Sequence, residues 1–273
     1  MYGFIIKKNF CDAWDNLLSV VITNVIFLFS GIGIIFLSAL VTKLWTESMP
    51  EGLFYLIQGA IILLGMIIFS TISFAYGEQA AKIADFCGIN FWDFFKVIPS
   101  VIKDAVLFSI MVCAIIYVSF FSINYYMFQQ QSMFGLCIGA LLFWIDVFVF
   151  LSLQWFVPIR STMHNNFGKI VKKCFIIFFD NTGYSILLAL NNLIALAMSI
   201  LFIGFLPSVA GITINKQNAF RIRLYKYDYL EEHPELKTKR ERRQIPWEEL
   251  IFDDREALGP RKLRSFLFPW KEQ

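Results

Sequence analysis

With 273 residues, a formal net charge of +3, 58% hydrophobic residues and only 16% charged ones, the chain falls well short of a water-soluble domain, which needs roughly a quarter of its residues charged. Apolar runs recur instead at the length of about 20 residues that a helix rising 1.5 Å per residue needs to cross a hydrocarbon layer of about 30 Å. The expected class is an all-α, polytopic membrane helix bundle, and 31 phenylalanines suit lipid-facing surfaces.

The chain opens on a basic stretch, Ile5-Ile6-Lys7-Lys8 through Phe10 to Trp14-Asp15-Asn16. This stretch returns as Ile170-Val171-Lys172-Lys173, Phe175 and Phe179-Asp180-Asn181, and more weakly as Phe94-Phe95-Lys96 running to Lys103-Asp104. Acids Asp12 and Asp15 follow the first lysines, and no short apolar core with a small-residue cleavage site appears, so a retained anchor is expected rather than a cleavable signal. Each copy puts apolar residues on one helical face and lysines on the other, as helices lying flat at a membrane surface do. Lys7, Lys8, Lys96, Lys172 and Lys173 are the expected interfacial anchors, with stems buried and ammonium groups at the headgroups.

Membrane-length runs occupy about 18–42, 53–76, 105–126, 133–157 and 183–204. Where a flat helix turns into a crossing one, four backbone N–H groups lack partners, so Asp15, Asp104 and Asp180 are read as helix caps. Lys43 alone among the earlier lysines and arginines falls on the side opposite the repeated basic helices, which puts those helices in the cytoplasm. Five crossings would strand Arg221, Arg223 and Lys226 outside. A reversal near Gly204–Ser208 and a short sixth helix through Ala219 remove that conflict. The expected architecture is therefore about six crossings, as three pseudo-repeated units of amphipathic helix plus membrane hairpin. Residues 1–225 form the transmembrane domain and 226–273 a charged cytoplasmic tail. In that tail Pro246-Trp247-Glu248-Glu249 reads as a helix start, and Trp270 among basic residues as an anchor.

The segment Phe156-Val157-Pro158-Ile159-Arg160, the lysine-rich helix after it, Asp180-Asn181 before a membrane helix and the turn Phe205-Leu206-Pro207-Ser208 resemble the YesL-like family of small bacterial integral membrane proteins. The opening, Asn24 to Phe29 followed by Gly31-Ile32-Gly33, is similar to it as well, and the likeness covers roughly residues 1–225. The resemblance implies a protein of the bacterial cytoplasmic membrane that assists carbohydrate uptake by ATP-driven importers, with no assigned functional residues.

Three constellations bear on function. Glu78-Gln79-Ala80-Ala81 through Asp85, Gly88, Trp92, Phe95 and Ile98 to Pro99 is similar to the loop by which importer permeases dock their ATPase. A flat lipid-facing helix explains the same face. Asp146 is the one acid deep in an apolar run; ionised at the bilayer centre it costs about 2.5–3.5 kcal/mol on insertion scales. It is expected to face the bundle as part of a polar path or as an interhelical contact, with Asn191, Asn192, Asn24 or Gln58 as partners. His164 and His233 stand alone without a metal or nucleophile signature, and the five cysteines form no CxxC pair, so neither enzyme, cofactor nor metal is expected. Basic residues 237–243 are interrupted by Glu241, which fits anionic lipid better than nucleic acid. The expected function is a non-enzymatic accessory or partner of a solute-uptake system, with ABC transporter components as possible partners besides the lipid bilayer. The alternatives are a permease-like subunit and a scaffold whose tail recruits a soluble protein.

Overall fold

The computed structural model describes residues 2–45, 50–130, 132–235 and 245–260, and every regular element among them is helical. Helix α1 (Tyr2–Asp15) leads into α2 (Leu17–Leu44), α3 (Glu51–Ala84) and α4 (Phe91–Asn124). A π-helical turn, Tyr125–Gln129, joins α4 to α5 (Met133–Leu153). Then come α6 (Phe156–Met163), α7 (Phe167–Asp180), α8 (Thr182–Leu201), α9 (Ser208–Glu232) and two short helices, α10 (Trp247–Leu250) and α11 (Phe252–Leu258). Five helical stretches are long and apolar enough to cross a membrane: α2, α3, α4 with its π turn, α5 with α6, and α8.

Two of the three basic copies form separate amphipathic helices, α1 and α7, each broken from the next helix at an asparagine, Asn16 and Asn181. The middle copy differs. Residues 91–104 are not a flat helix of their own but the first turns of a continuous 34-residue α4, with Pro99 inside it. α3 packs against α4, which continues as one helix past the proline. Ser109 donates to Ser70 at 3.0 Å near one level, and Lys82 pairs with Asp93 at 3.3 Å near the tip.

The chain does reverse between α8 and α9. Ile203, Gly204 and Ser208 take left-handed backbone angles, with φ of 52°, 79° and 46°. A Cβ on Gly204 would press within 3.1 Å of Leu28. Asn24 of α2 fastens this turn: its amide donates to the carbonyls of Phe205 and Pro207, both at 2.9 Å, and its oxygen accepts from the Ala210 N–H at 2.9 Å. A loop at such a depth must have its backbone groups satisfied by protein, and Asn24, fully buried, does that. About 20 residues, roughly 30 Å at 1.5 Å per residue, separate Asn24 from Leu44 at the far end of α2.

α9 is the central helix, packed on α1, α2, α3, α6 and α8. It does not stop at Ala219 but continues to Glu232, carrying Arg221 and Arg223 with it. Its polar composition follows from that place, because its neighbours are protein. Asn218 meets α1, Gln217 meets α6 and Asn215 meets α8. The hydrophobic core gathers at the same end: Phe74, Tyr76, Val101, Trp155, Phe156, Ile170, Phe220 and Ile251 are buried there. At the opposite end Leu44, Leu53, Tyr55, Phe120, Met133 and Phe134 stay exposed. There α5 approaches the π turn closely through Gly135 and Gly139, where a Cβ would collide with the Tyr126 carbonyl and the Met127 side chain.

Candidate functional site: the polar collar at the basic end

The buried polar side chains concentrate where α1, α6, α7 and the inner ends of α3, α4 and α9 meet. Arg160 on α6 is the most engaged of them. Its Nε lies 3.0 Å from Asp104 Oδ2, its Nη1 2.6 Å from Glu78 Oε1, and its Nη2 donates to the Ser100 carbonyl at 3.3 Å. α6 is placed for this by Trp155, a fully buried residue at the α5–α6 break whose Nε1 donates to Ser185 Oγ at 3.0 Å. The guanidinium fork joins three elements at once, giving each acceptor its own nitrogen in a fixed planar geometry that a lysine ammonium does not offer. A cavity of about 560 Å³ opens beside it, lined by Lys103, Asp104, His164, Asn165 and Asn166 among others.

A second cluster joins α1 to α9. Lys8, whose side chain is only 1% exposed, pairs with Asp12 at 3.0 Å, and its ammonium sits 3.6 Å from the Phe86 ring centre. Asn218 donates to Asp12 at 2.7 Å and to Asn9 at 3.0 Å. Burial pushes the Lys8 ammonium below and the Asp12 carboxyl above their ordinary values, and their mutual attraction only partly offsets it. Beside them Arg221 pairs with Asp85 and, through two nitrogens at 3.3 and 3.0 Å, with Asp254 of α11. Tyr225 also donates to Asp254, at 3.1 Å, and Lys7 to the Gly259 carbonyl, at 3.1 Å. Buried Ile251 and Leu258 complete the docking of residues 245–260 on the bundle.

A third cluster lies at the α7–α8 break. Asp180 takes Lys226 at 2.6 Å and Tyr227 at 3.0 Å. Asn181 accepts from Lys226 at 2.9 Å and from Arg223 at 3.1 Å. Burial would raise the Asp180 carboxyl, but Lys226, Tyr227 and Asn181 more than offset this and hold it below the usual carboxylate value. The Arg223 guanidinium stacks 3.8 Å from the Tyr184 ring centre and 4.8 Å from that of Trp247.

These contacts revise several expectations. Asp104 does not cap a helix, because α4 is unbroken there; it binds Arg160. Asp15 and Asp180 close α1 and α7, and the cap positions of α2 and α8 belong to Asn16 and Asn181, neither of which makes a side-chain cap bond. Lys8 is no headgroup anchor, since its charge is turned inward to Asp12. Lys96 and Lys172 are exposed, Lys7 is turned to Gly259, and Lys173 lies 3.0 Å from Met163 Sδ. Trp270 lies outside the described residues.

Asp146 is met by Ser119 of α4, at 2.7 Å, and by none of the four amides expected. Asn192 is paired with Asn215 at 3.4 Å, Gln58 with Ser38 and Thr42, and Asn24 with the α8–α9 turn. Asn191 lines an apolar groove of about 280 Å³ between α1 and α8, with Tyr2, Ile5 and Leu187. In the expected docking stretch, Glu78 and Asp85 are spent on Arg160 and Arg221. Gly88 is exposed, Ile98 half-buried, and Trp92 and Phe95 stand out at 66% and 44% exposure. No spacing or motif marks the pairings of Arg160, Asn218 and Arg223. The partners of Arg160 and Asn218 lie 56 or more residues away, and Asn181, which accepts from Arg223, lies 42 away.

Among the described residues no three or more histidine, cysteine, aspartate or glutamate side chains gather as a metal site. No family model matches the chain, and neither curated proteins nor solved structures yield a match.

Proposed function

We propose that the chain is a multi-pass protein of the bacterial cytoplasmic membrane, with its basic end in the cytoplasm, that serves as a non-enzymatic partner of a solute-uptake system. The observation that carries this is the tip between α3 and α4. The apolar runs of these helices end near residues 76 and 105, so the tip stands roughly 12–20 Å beyond the hydrocarbon layer at 1.5 Å per residue. There Trp92 and Phe95 are exposed, while Asp93 is braced by Lys82 at 3.3 Å and Lys96 at 3.4 Å. Aromatic side chains fixed on a rigid projection are favoured as contact anchors. α9 runs back beside α8, which supports placing both ends of the bundle on one side of the membrane. The likeness to the YesL-like family supports carbohydrate as the solute class. The likeness of residues 78–99 to a permease loop supports an importer ATPase or its permease as the partner.

The test is co-purification from mild detergent extracts. An importer subunit should copurify with the native chain and be lost with Phe95→Asp, while Lys172→Ala retains it. Loss with neither variant, or no importer subunit at all, would refute the reading. The tail-scaffold alternative is weakened for residues 245–260, where Ile251 and Leu258 are buried and α11 packs on α1.

A further inference from the structure

We infer that Asp146 and Ser119 mark a lateral docking site for a membrane helix of another protein, one that carries a lysine or arginine within its apolar run. α5 has 21 residues and spans roughly 30 Å at 1.5 Å per residue, the thickness of the hydrocarbon layer. At the same rise Asp146 stands roughly 20 Å from the start of α5 and roughly 10 Å from its end. Its carboxylate therefore lies at the depth of the acyl chains, where an ionised group is costly unless a partner meets it. Oδ1 accepts from Ser119 at 2.7 Å. Among the described residues this hydroxyl is the one polar partner of Asp146, and no lysine or arginine pairs with it.

The carboxylate is open to the bilayer. Asp146 and Ser119 are both half-buried. Phe143 and Phe150, three residues before and four after Asp146 on the same face of α5, are 51% and 44% exposed. Ile116, three residues before Ser119 on α4, is 48% exposed. A helix laid along this apolar edge brings one side chain to Asp146, and charge complementarity makes that side chain a cation. A metal ion fits less well, because one carboxylate and one hydroxyl fall short of the roughly six oxygens a hard cation takes. A second copy is a poor source of the charge. α5 and α8 carry no lysine or arginine, and Lys43, Lys82, Lys96 and Lys103 flank the apolar runs of α2, α3 and α4. That leaves Lys216, which belongs to α9, the central helix packed on α1, α2, α3, α6 and α8.

This inference rests on the membrane placement proposed above, and the two can fail separately. The full chain would be reconstituted in phosphatidylcholine vesicles with a dansyl-labelled leucine–alanine peptide of about 20 residues, the length of one crossing. The peptide carries one central lysine or, as its control, leucine. Energy transfer from the tryptophans of the chain reads the association. The lysine peptide should associate about tenfold more tightly than the leucine peptide, the value of one charge-assisted contact. Asp146→Asn should abolish that preference, while Asp253→Asn, on exposed α11, leaves it unchanged. Equal association of the two peptides, or a preference that survives Asp146→Asn, overturns the proposal. Self-association of the native chain that displaces the lysine peptide and is lost in Asp146→Asn would give the site to a second copy and overturn the separate partner. Should Asp146→Asn fail to fold, a photoreactive group beside the peptide lysine must label residues 112–123 or 139–153 of the native chain, and labelling elsewhere alone refutes the site. If the chain is released from membranes by carbonate, the membrane reading itself falls; a carbonate-resistant chain without preference for the lysine peptide sinks only the present inference.

Discussion

Arg160 reaches Asp104 across 56 residues of chain and lies 3.0 Å from it, with Glu78 on its other side. Asp180 and Lys226 repeat the relationship in the next unit, at 2.6 Å. In both, the acid at the end of a basic amphipathic stretch is tied to a cation on the helix that returns from the far side. Each pair thus closes one hairpin onto its own collar.

Removing Arg160 leaves two carboxylates facing each other with little solvent. Arg160→Ala should cost about 3–5 kcal/mol, as the loss of one member of a buried ion pair does. Lys96→Ala, at an exposed pair, should change stability by less than about 1 kcal/mol. Unfolding in mixed detergent, followed by circular dichroism, measures both.

Asn24→Ala takes partners from two carbonyls and one N–H of the α8–α9 turn. Each unsatisfied buried group costs about 1–3 kcal/mol, so a loss of at least 2 kcal/mol is expected in the same assay. Asn24→Asp can replace only the bond from Ala210 and should be nearly as damaging.

Gly77→Ala tests the contact between α3 and α6. A Cβ there would sit 2.7 Å from Val157 Cγ1, and valine has no flexible end to move aside. Overpacking of this kind costs about 1–3 kcal/mol, and the double variant with Val157→Ala should recover most of it.

Acid should loosen the α7–α9 clasp. Asp180 titrates below its unfolded value, so its contribution to stability is present above the unfolded carboxylate range and is lost as pH falls through the folded value. Stability of the native chain should decline over that acid window, and Asp180→Asn should flatten the decline. An unchanged pH profile in the variant would contradict the clasp.

The cysteines report sidedness. Cys87 is exposed at the α3–α4 tip, whereas Cys11 and Cys174 are buried. Burial pushes the Cys174 thiol up to about 12, leaving almost no thiolate at neutral pH. A membrane-impermeant maleimide should label Cys87 only after the cells are permeabilised, and Cys174 only after unfolding.

Patterning made the long elements readable. α1 and α7 follow from lysines opposite apolar faces, and the turn after α8 from Gly204 and Pro207 in a run too long for one crossing and too short for two. The middle copy misled, because Lys96 and Asp104 keep the repeat spacing while packing on α3 carries α4 past Pro99 without a break. Lys8 misled for a related reason: a lysine on the polar face of an amphipathic helix faces water only if nothing lies over it, and α9 and α11 come from the far end of the chain to cover it. The partner of Asp146 was missed because a serine one helix away carries no marked polarity in an apolar run.

The anchoring of the α8–α9 turn to Asn24 makes the third hairpin the shallow one. About 30 Å of α2 still lies ahead of it at 1.5 Å per residue. Beyond the turn the bundle therefore narrows towards α2 to α5, at the end where Leu44, Leu53, Tyr55, Phe120, Met133 and Phe134 are exposed.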